Sequence, residues 1–597
     1  MTIAFRPDDR PRIPSADERR PPAIVARHTR PAVRGLRCAI SSTHDLATLA
    51  GQRVAARGGN AIDAGVAAGI ALAVLEPHMC NFGGVAPIMI MRPGMAAPET
   101  IDGVGTWPAG LALEDYRQWF GGDMPIGLER SVVPGAPASW LTALARHGRL
   151  TLAEVLEPAI ELCVDGFAVY PGLASFVNHF AERLRGWPAS AAQWLPQGGP
   201  LRVGQRMVQP DLGRLLDTLA GAERAAAATG APREDAIQAA IDVFYRGEVA
   251  ERIAAFVAGQ GWRLTREDLA GWRPTIETAP SVNYRGADVH FCGPWTQGPM
   301  IGLALNILEG YDLAAMGGGT VDFHHLFCEA IKLAAADREA FFGDPRYVDV
   351  PMRGLLDKAY ADERRRLIRL DRACPGLPPP GAPWRHEGRA GPEGYVPAPA
   401  GGVAPPDTSY VCAMDAEGNA FSATPSDHAM GSPLVPGLGI VVSHRGAQLW
   451  LDPAHPSAMA PGKRPRLTPN PAMLVRGGRA EMAFGSPGED AQTQAMVQML
   501  CQHLDFGLDL QAAIEAPRVS SQGFPSSFHP HVFRPGAMLA EETLGASALE
   551  ELSRRGHRVQ AIPRFSYGVG ALCAVQSGAG GLLGAADPRR DCLALAW

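Results

Sequence analysis

No stretch of this sequence reaches the ~18 uninterrupted apolar residues that a membrane-spanning helix needs. That absence excludes a helical membrane protein. The ten cysteines are scattered and form no CxxC pair, which argues against both a disulfide framework and a structural zinc site. There is no GxSxG elbow, Walker A loop or GxGxxG turn to support other enzyme classes. Basic residues are not in excess: the net charge is −6, which argues against nucleic acid as the main partner. The first 35 residues are charged and proline-rich and lack an apolar h-region, so no signal peptide is expected and a cytoplasmic location is the default. What is present is ordinary globular composition, 46% hydrophobic and 19% charged, in a chain of 597 residues with room for roughly three or four domains. Plentiful glycine (68) and proline (53) imply many turns.

The order of elements is legible from local signals. Residues 1–35 read as a disordered tail. A strand is expected at Cys38–Ser42 and a helix from His44 to Arg57. Asn60 caps a long alanine-rich helix running to Leu75, apolar nearly all round and therefore buried. Helix-rich sequence continues through residue 370, including a long helix over Phe323–Phe342. Residues 371–407 read as a flexible linker, because Cys374–Pro406 is too rich in Pro and Gly for regular structure. From 408 to 597 strands and helices mix, which suggests a layered α/β structure.

The stretch around Thr408 organises the rest. Asp407-Thr408-Ser409-Tyr410-Val411 passes abruptly from the linker into a strand-like run. A threonine at the first position of a strand, after a loop, is where an N-terminal nucleophile sits. Its hydroxyl is a weak nucleophile and needs a base. Cleavage of the Asp407–Thr408 bond would supply one, a free α-amine of pKa about 8, and the cut can be self-inflicted through an ester at Oγ.

Motifs along the chain carry a resemblance. Gly58-Gly59-Asn60-Ala61-Ile62-Asp63-Ala64, Asn81-Phe82-Gly83-Gly84, Val133-Pro134-Gly135, Asp407-Thr408-Ser409, Pro461-Gly462-Lys463-Arg464-Pro465 and Gly485-Ser486-Pro487-Gly488 occur in the order found in the γ-glutamyltransferase family of N-terminal nucleophile (Ntn) hydrolases. The sequence resembles that family from about residue 38 onward. The resemblance implies a four-layer αββα sandwich, a precursor cut before Thr408, and two subunits that stay associated, with pairs of such heterodimers as one assembly. It also implies an acyl-enzyme mechanism on a small-molecule amide, with no cofactor and no catalytic metal.

Carried over residue by residue, Thr408 matches the nucleophile. Ser426 stands where the family has a second threonine that hydrogen-bonds the α-amine. Gly488 and Glu489 match the two backbone N–H donors of the oxyanion loop, although the second position is Gly in the family. The glutamyl clamp is where the pattern fails. Val104 stands near the carboxylate-binding Arg, and Gln448 near the amine-binding acid. Leu467-Thr468 replace a Ser-Ser pair, and His428 replaces an Asn. Arg445 and His444 lie beside the lost acid position, so a cationic pocket containing His428 is expected, suited to a compact acyl group bearing a carboxylate or another polar group. The stretch from Arg445 to Pro456 resembles the branch of oxamate-type amidohydrolases and acylases.

The sequence therefore reads as a self-processing amidohydrolase with an unusual acyl group and water as acceptor. A γ-glutamyl hydrolase or transferase with a rebuilt clamp and an uncleaved, non-catalytic family member are the alternatives. His529-Pro530-His531 offers half a metal site with no third ligand, and His324-His325 is expected to cap or pack a helix.

Overall fold

The computed structural model describes residues 28–398 and 407–597. Two seven-stranded antiparallel sheets form its centre. One runs, in spatial order, Leu593–Ala596, Cys38–Ser42, Val411–Asp415, Ala420–Ala423, Ile88–Met91, Glu99–Ile101 and Ile276–Thr278. The other runs Val33–Gly35, Gly581–Ala586, Cys573–Gly578, Arg479–Gly485, Ala472–Arg476, Ala287–Phe291 and Ser281–Tyr284. Strand alternation builds three apolar layers. On Val411–Asp415, Cys412 and Met414 point between the sheets, against Met89, Met473 and Val575. Val411 and Ala413 point the other way, into a core covered by helices that include Asp45–Ala56 and Ala61–Leu75. Outside the second sheet lie Pro299–Glu309, Val321–Phe341 and Ala491–Leu504. This is the expected four-layer αββα order.

Both sheets mix residues from before and after position 408. Val411–Asp415 pairs with Cys38–Ser42 on one side and with Ala420–Ala423 on the other. The C-terminal strand Leu593–Ala596 closes on the far side of Cys38–Ser42. In the second sheet Ala472–Arg476 pairs with Ala287–Phe291.

The helix Ala61–Leu75 fits the expectation closely. Asn60 accepts from the N–H groups of Ile62 and Asp63, and Asp63 accepts from the Asn60 N–H, closing a capping box. All fifteen of its residues are buried. Its glycines permit the packing: a Cβ on Gly65 would lie 2.1 Å from the Phe421 ring, and one on Gly69 would lie 2.4 Å from the Trp140 ring.

Three expectations need correction. The strand begins at Val411, not at Thr408, because the N–H groups of Thr408 and Ser409 donate to the loop carbonyls of Met79 and Pro425 instead of to a neighbouring strand. The tail ends earlier than residue 35: Val33–Gly35 pairs with Gly581–Ala586 and completes a sheet edge, while residues 1–27 lie outside the described residues. The linker is docked over 371–398. The Cys374 N–H donates to Glu329 at 3.0 Å and the Gly381 N–H to Asp337 at 2.9 Å, and Trp384 is buried in a short 3-10 turn, Pro383–Glu387. Residues 399–406 of the linker lie outside the described residues. Among the described residues no helix is long and apolar enough to cross a membrane.

The packing of the buried helix on its sheet yields a stability prediction. Gly65→Ala forces a methyl into Phe421 and lowers unfolding stability by about 1–3 kcal/mol. Urea unfolding followed by tryptophan fluorescence measures it, and an unchanged midpoint would show that the helix moves freely on the sheet.

Candidate active site

Thr408 is fully buried between the two parts of the chain. Its Oγ lies 2.7 Å from Ser426 Oγ and 3.3 Å from Asp407 Oδ1, and Gln492 Nε2 donates to it at 3.4 Å. Ser426 is itself fixed by a bridge to Val85, its N–H donating to the Val85 carbonyl at 2.9 Å. The Thr408 carbonyl accepts from Arg590 Nη1 at 2.9 Å. Arg590 pairs with Glu76, the residue that ends the buried helix, and Glu76 also accepts from Thr43 Oγ at 2.6 Å and Ser409 Oγ at 2.7 Å. A buried acid on one part of the chain thus grips the Thr408–Ser409 segment of the other, through Arg590 and directly at Ser409.

The backbone at this point is strained. Thr408 has φ +109°, a region that a β-branched residue adopts only when its surroundings force it, at a cost on the order of 1–3 kcal/mol. Cutting the 407–408 bond abolishes that torsion.

Asp407, on the other side of the bond, points its carboxylate at Arg445. Arg445 Nη2 donates to Asp407 Oδ2 at 2.6 Å and also to Ser426 Oγ, and Arg445 Nε lies 3.1 Å from Asp427 Oδ1. Burial alone would raise the Asp407 carboxyl, but the adjacent Arg445 guanidinium outweighs it and holds the group below the usual carboxylate range. Arg445 is buried without access to water, and among the described residues its Nη1 has no hydrogen-bond partner.

Gly488 and Glu489 form the turn that opens the helix Ala491–Leu504, with φ +113° and +51°. Among the described residues neither backbone N–H donates to another group, so both remain available at a helix N-terminus, where the field favours negative charge. The loop is braced by Gln297 Nε2, which donates to the Glu489 carbonyl at 2.9 Å, and by Asp490, which pairs with Arg338 at 2.5 Å. Glu489 is half-buried, and its Oε1 is buried with no partner among the described residues. Burial of the carboxyl, reinforced by Asp407 and Asp490, pushes it well above the usual carboxylate range, which lessens the negative charge it places beside the two N–H groups.

A cavity of about 600 Å³ opens onto Asp407 and is lined by Arg130, Arg183, His428, His444, Phe528 and His529, among others. His428 does lie here, but the expectation that it supplies positive charge is corrected. Burial, with His444 nearby, drives its imidazole well below 6.5, and its ring stacks on Phe180 with centroids 6.0 Å apart. The pocket's positive charge comes from arginines.

The other clamp positions are closed. Val104 and Leu467 pack together with Val85, Cys292 and Trp295 in a small buried apolar cluster. Gln448 and Thr468 bond to each other, Gln448 Nε2 donating to Thr468 Oγ at 3.0 Å, while Gln448 Oε1 has no partner among the described residues. Both are buried, and neither lines the cavity beside Asp407.

Sequence reasoning missed Glu76, Arg590, Gln492, Asp427, Arg130 and Arg183. For Glu76 a signal existed: a lone acid ending an otherwise apolar helix. The rest sit in loops or helices with no local pattern. The proposed half metal site at His529 and His531 comes apart: His529 Nε2 contacts Asp123 at 2.8 Å, while His531 stacks on Trp450 at 3.8 Å. Among the described residues one group, His325, Glu329 and His557, has metal-like spacing. It is already satisfied as a strut for the docked linker. His325 Nε2 donates to the Arg369 carbonyl at 2.7 Å, which leaves Nδ1 to accept from His557 at 2.8 Å, and Lys332 lies 2.5 Å from Glu329.

Comparison with known proteins gives consistent matches. A family model described as gamma-glutamyltranspeptidase matches residues 47–597. The chain is 33% identical over 574 residues to the acylase ACY 1 proenzyme of Pseudomonas sp. (strain V22), covering 93% of each. It is 31% identical over 562 residues to the oxamate amidohydrolase proenzyme of Klebsiella pneumoniae, covering 92% of this chain and 96% of that one. Among solved structures it superposes on the cephalosporin acylase from Bacillus halodurans with a TM-score of 0.82 at 29% identity, over 100% of this chain and 99% of the other.

The raised pKa of Glu489 has a measurable consequence of definite sign. A carboxyl whose pKa is raised by folding gives stability that is present below its unfolded pKa of about 4.3 and is lost as pH rises toward the folded value. In a Thr408→Ala background, Glu489→Gln therefore gains stability relative to Glu489 as pH goes from 4 to 8, by at most about 1.4 kcal/mol per pH unit. Thermal unfolding across that range tests it, and a difference that stays flat would mean Glu489 is ionised in the fold.

Proposed function

This chain belongs to the gamma-glutamyltranspeptidase family and is an Ntn-type amidohydrolase or acyltransferase, and we propose that it matures by cutting itself before Thr408 and then hydrolyses an amide whose acyl group is not glutamyl. The observation that carries this reading is the closed clamp. A zwitterionic glutamyl head needs a cation and an anion at positions filled here by Val104 and Leu467, packed under Trp295, and by the self-paired Gln448 and Thr468. Burying its charges there without partners costs several kcal/mol. The names of the similar acylase and oxamate amidohydrolase fit a wider range of acyl groups.

In maturation, Thr408 Oγ attacks the Asp407 carbonyl, assisted by the Ser426 hydroxyl 2.7 Å away and by relief of the strained φ. Water releases the ester, and Thr408 gains an α-amine. In turnover that amine takes the hydroxyl proton as Oγ attacks the substrate carbonyl, then returns it to the leaving amine. The Gly488 and Glu489 N–H groups hold the oxyanion, and each such donor contributes about 10²–10³-fold in rate. Water is the acceptor of the acyl group. The two pieces, 1–407 and 408–597, stay associated because each sheet is hydrogen-bonded across them.

A γ-glutamyl amidase is the second reading. Its support is the Arg445–Asp427 pair, which places one charge of each sign near Asp407.

Intact mass and a denaturing gel test the proposal. Wild type gives two fragments, the smaller starting at Thr408, while Thr408→Ala stays whole. Ser426→Ala slows the cut by about 10–100-fold, the worth of one hydrogen bond to a developing charge. A wild type that stays at full-length mass would leave the protein as an uncleaved, non-catalytic member of its family.

A further inference from the structure

Asp407 occupies the acyl side of the first bond that Thr408 attacks. In self-cleavage the ester on Thr408 Oγ carries an aspartyl group; in turnover the same oxygen carries the substrate's acyl group. Whatever receives the Asp407 side chain before the cut is therefore the ground on which the acyl group lies after it. That receiver is Arg445, 2.6 Å from Asp407 Oδ2, buried behind Asp407 and Phe528, with the guanidinium 5.0 Å from the Phe528 ring centre. Asp407 faces the 600 Å³ cavity while Arg445 does not line it. The Asp407 carboxylate is thus a plug between the cavity and a guanidinium whose Nη1 has no partner among the described residues.

Resting on the self-cleavage reading, we infer that release of Asp407 extends the cavity to Arg445, and that the substrate acyl group is a dicarboxylic half-amide of succinyl type, its free carboxylate replacing that of Asp407. The length follows from the template. The Asp407 carboxylate stands as many bonds from the reacting carbonyl as the free carboxylate of a succinyl group does. A succinyl group is the aspartyl group without its backbone nitrogen. The cavity wall carries Arg130 and Arg183 against one exposed acid, Asp123, which contacts His529, and it includes His428, whose imidazole is held below its usual range; two guanidiniums against one carboxylate favour entry of an anion over a zwitterion. Asp427 stays beside Arg445 and keeps the guanidinium in place without meeting the acyl chain: its Oδ2 accepts from Ser443 Oγ, and its Oδ1 faces Arg445 Nε and His444 Nδ1.

The step balances. Thr408 Oγ bonds to the acyl carbonyl carbon and its proton passes to the α-amine. The amide C–N bond breaks and that proton leaves with the amine. Water then hydrolyses the ester, freeing the dicarboxylate and restoring the hydroxyl.

Processed wild type is assayed on four p-nitroanilides: N-succinyl, N-isohexanoyl (the same shape without charge), N-glutaryl and γ-glutamyl. The expected result is a kcat/KM for succinyl about 10–100-fold above isohexanoyl and at least about tenfold above γ-glutamyl, the range of one charge-assisted bidentate contact. Processed enzyme that turns over isohexanoyl as well as succinyl, or prefers γ-glutamyl, overturns the inference and leaves the amidohydrolase reading standing. Enzyme that stays uncut and inert on all four removes that reading and this inference with it. A crystal structure of the processed enzyme with succinate decides the residue: a carboxylate on the Arg445 guanidinium supports the assignment, and one on Arg130 or Arg183 refutes it.

Discussion

The strand Val411–Asp415 is held from both sides, and the site depends on that grip. Cys38–Ser42 and Ala420–Ala423 fix its register, its two faces are buried in different cores, and the three residues before it have nowhere to go but into the space between Met79, Pro425 and Ser426. This is how a threonine comes to sit at φ +109° with its hydroxyl against another hydroxyl. Local sequence preference would never choose that conformation. Two sheets' worth of pairing overrides it, in the way functional sites draw strain from a surrounding structure that over-determines them.

Around that point charge is organised in layers. Arg590 and Glu76 hold the Thr408 carbonyl from one side, Arg445 and Asp427 meet Asp407 from the other, and the helix Ala491–Leu504, whose Gln492 reaches Thr408, is preceded by two N–H groups that donate to nothing among the described residues. Glu489 interrupts this series as an acid whose carboxyl is pushed above the usual range by burial. Glu489 Oε1, Gln492 Oε1 and Arg445 Nη1, on residues that reach Thr408, Asp407 or the turn before the helix Ala491–Leu504, are buried without partners among the described residues. Native cores leave few such atoms unpaired, and a concentration of them marks where a ligand's own polar groups belong.

Much of this was legible beforehand, and the boundary of what was legible has a physical cause. The capped helix Ala61–Leu75, the long helix ending near Phe341 and the β-rich second part follow from short-range signals: caps, periodicity and turn residues. Thr408, Ser426 and Gly488 stand out in the sequence because the order of their motifs is distinctive. The linker was misjudged because composition reports on regular structure, and Trp384 docks without any. Glu76 and Arg590 stand 514 positions apart, and nothing in either neighbourhood announces the other. The lost clamp could be read as missing charges, but not as Val104 and Leu467 filling the space together, because a contact between two apolar residues leaves no trace in either one's local pattern.

The mixing of both parts of the chain in each sheet reaches beyond the site. While the 407–408 bond is whole, strands on either side of it meet at the high effective concentration of a single molecule. If that bond is cut as proposed, the same pairings join two separate molecules. The native packing then becomes the sole record of the arrangement. Heat or denaturant that pulls the sheets apart erases it, and refolding becomes a bimolecular search between fragments with exposed strand edges. The durability of the mature protein would then be set by how slowly it unfolds and not by how far the equilibrium favours the fold.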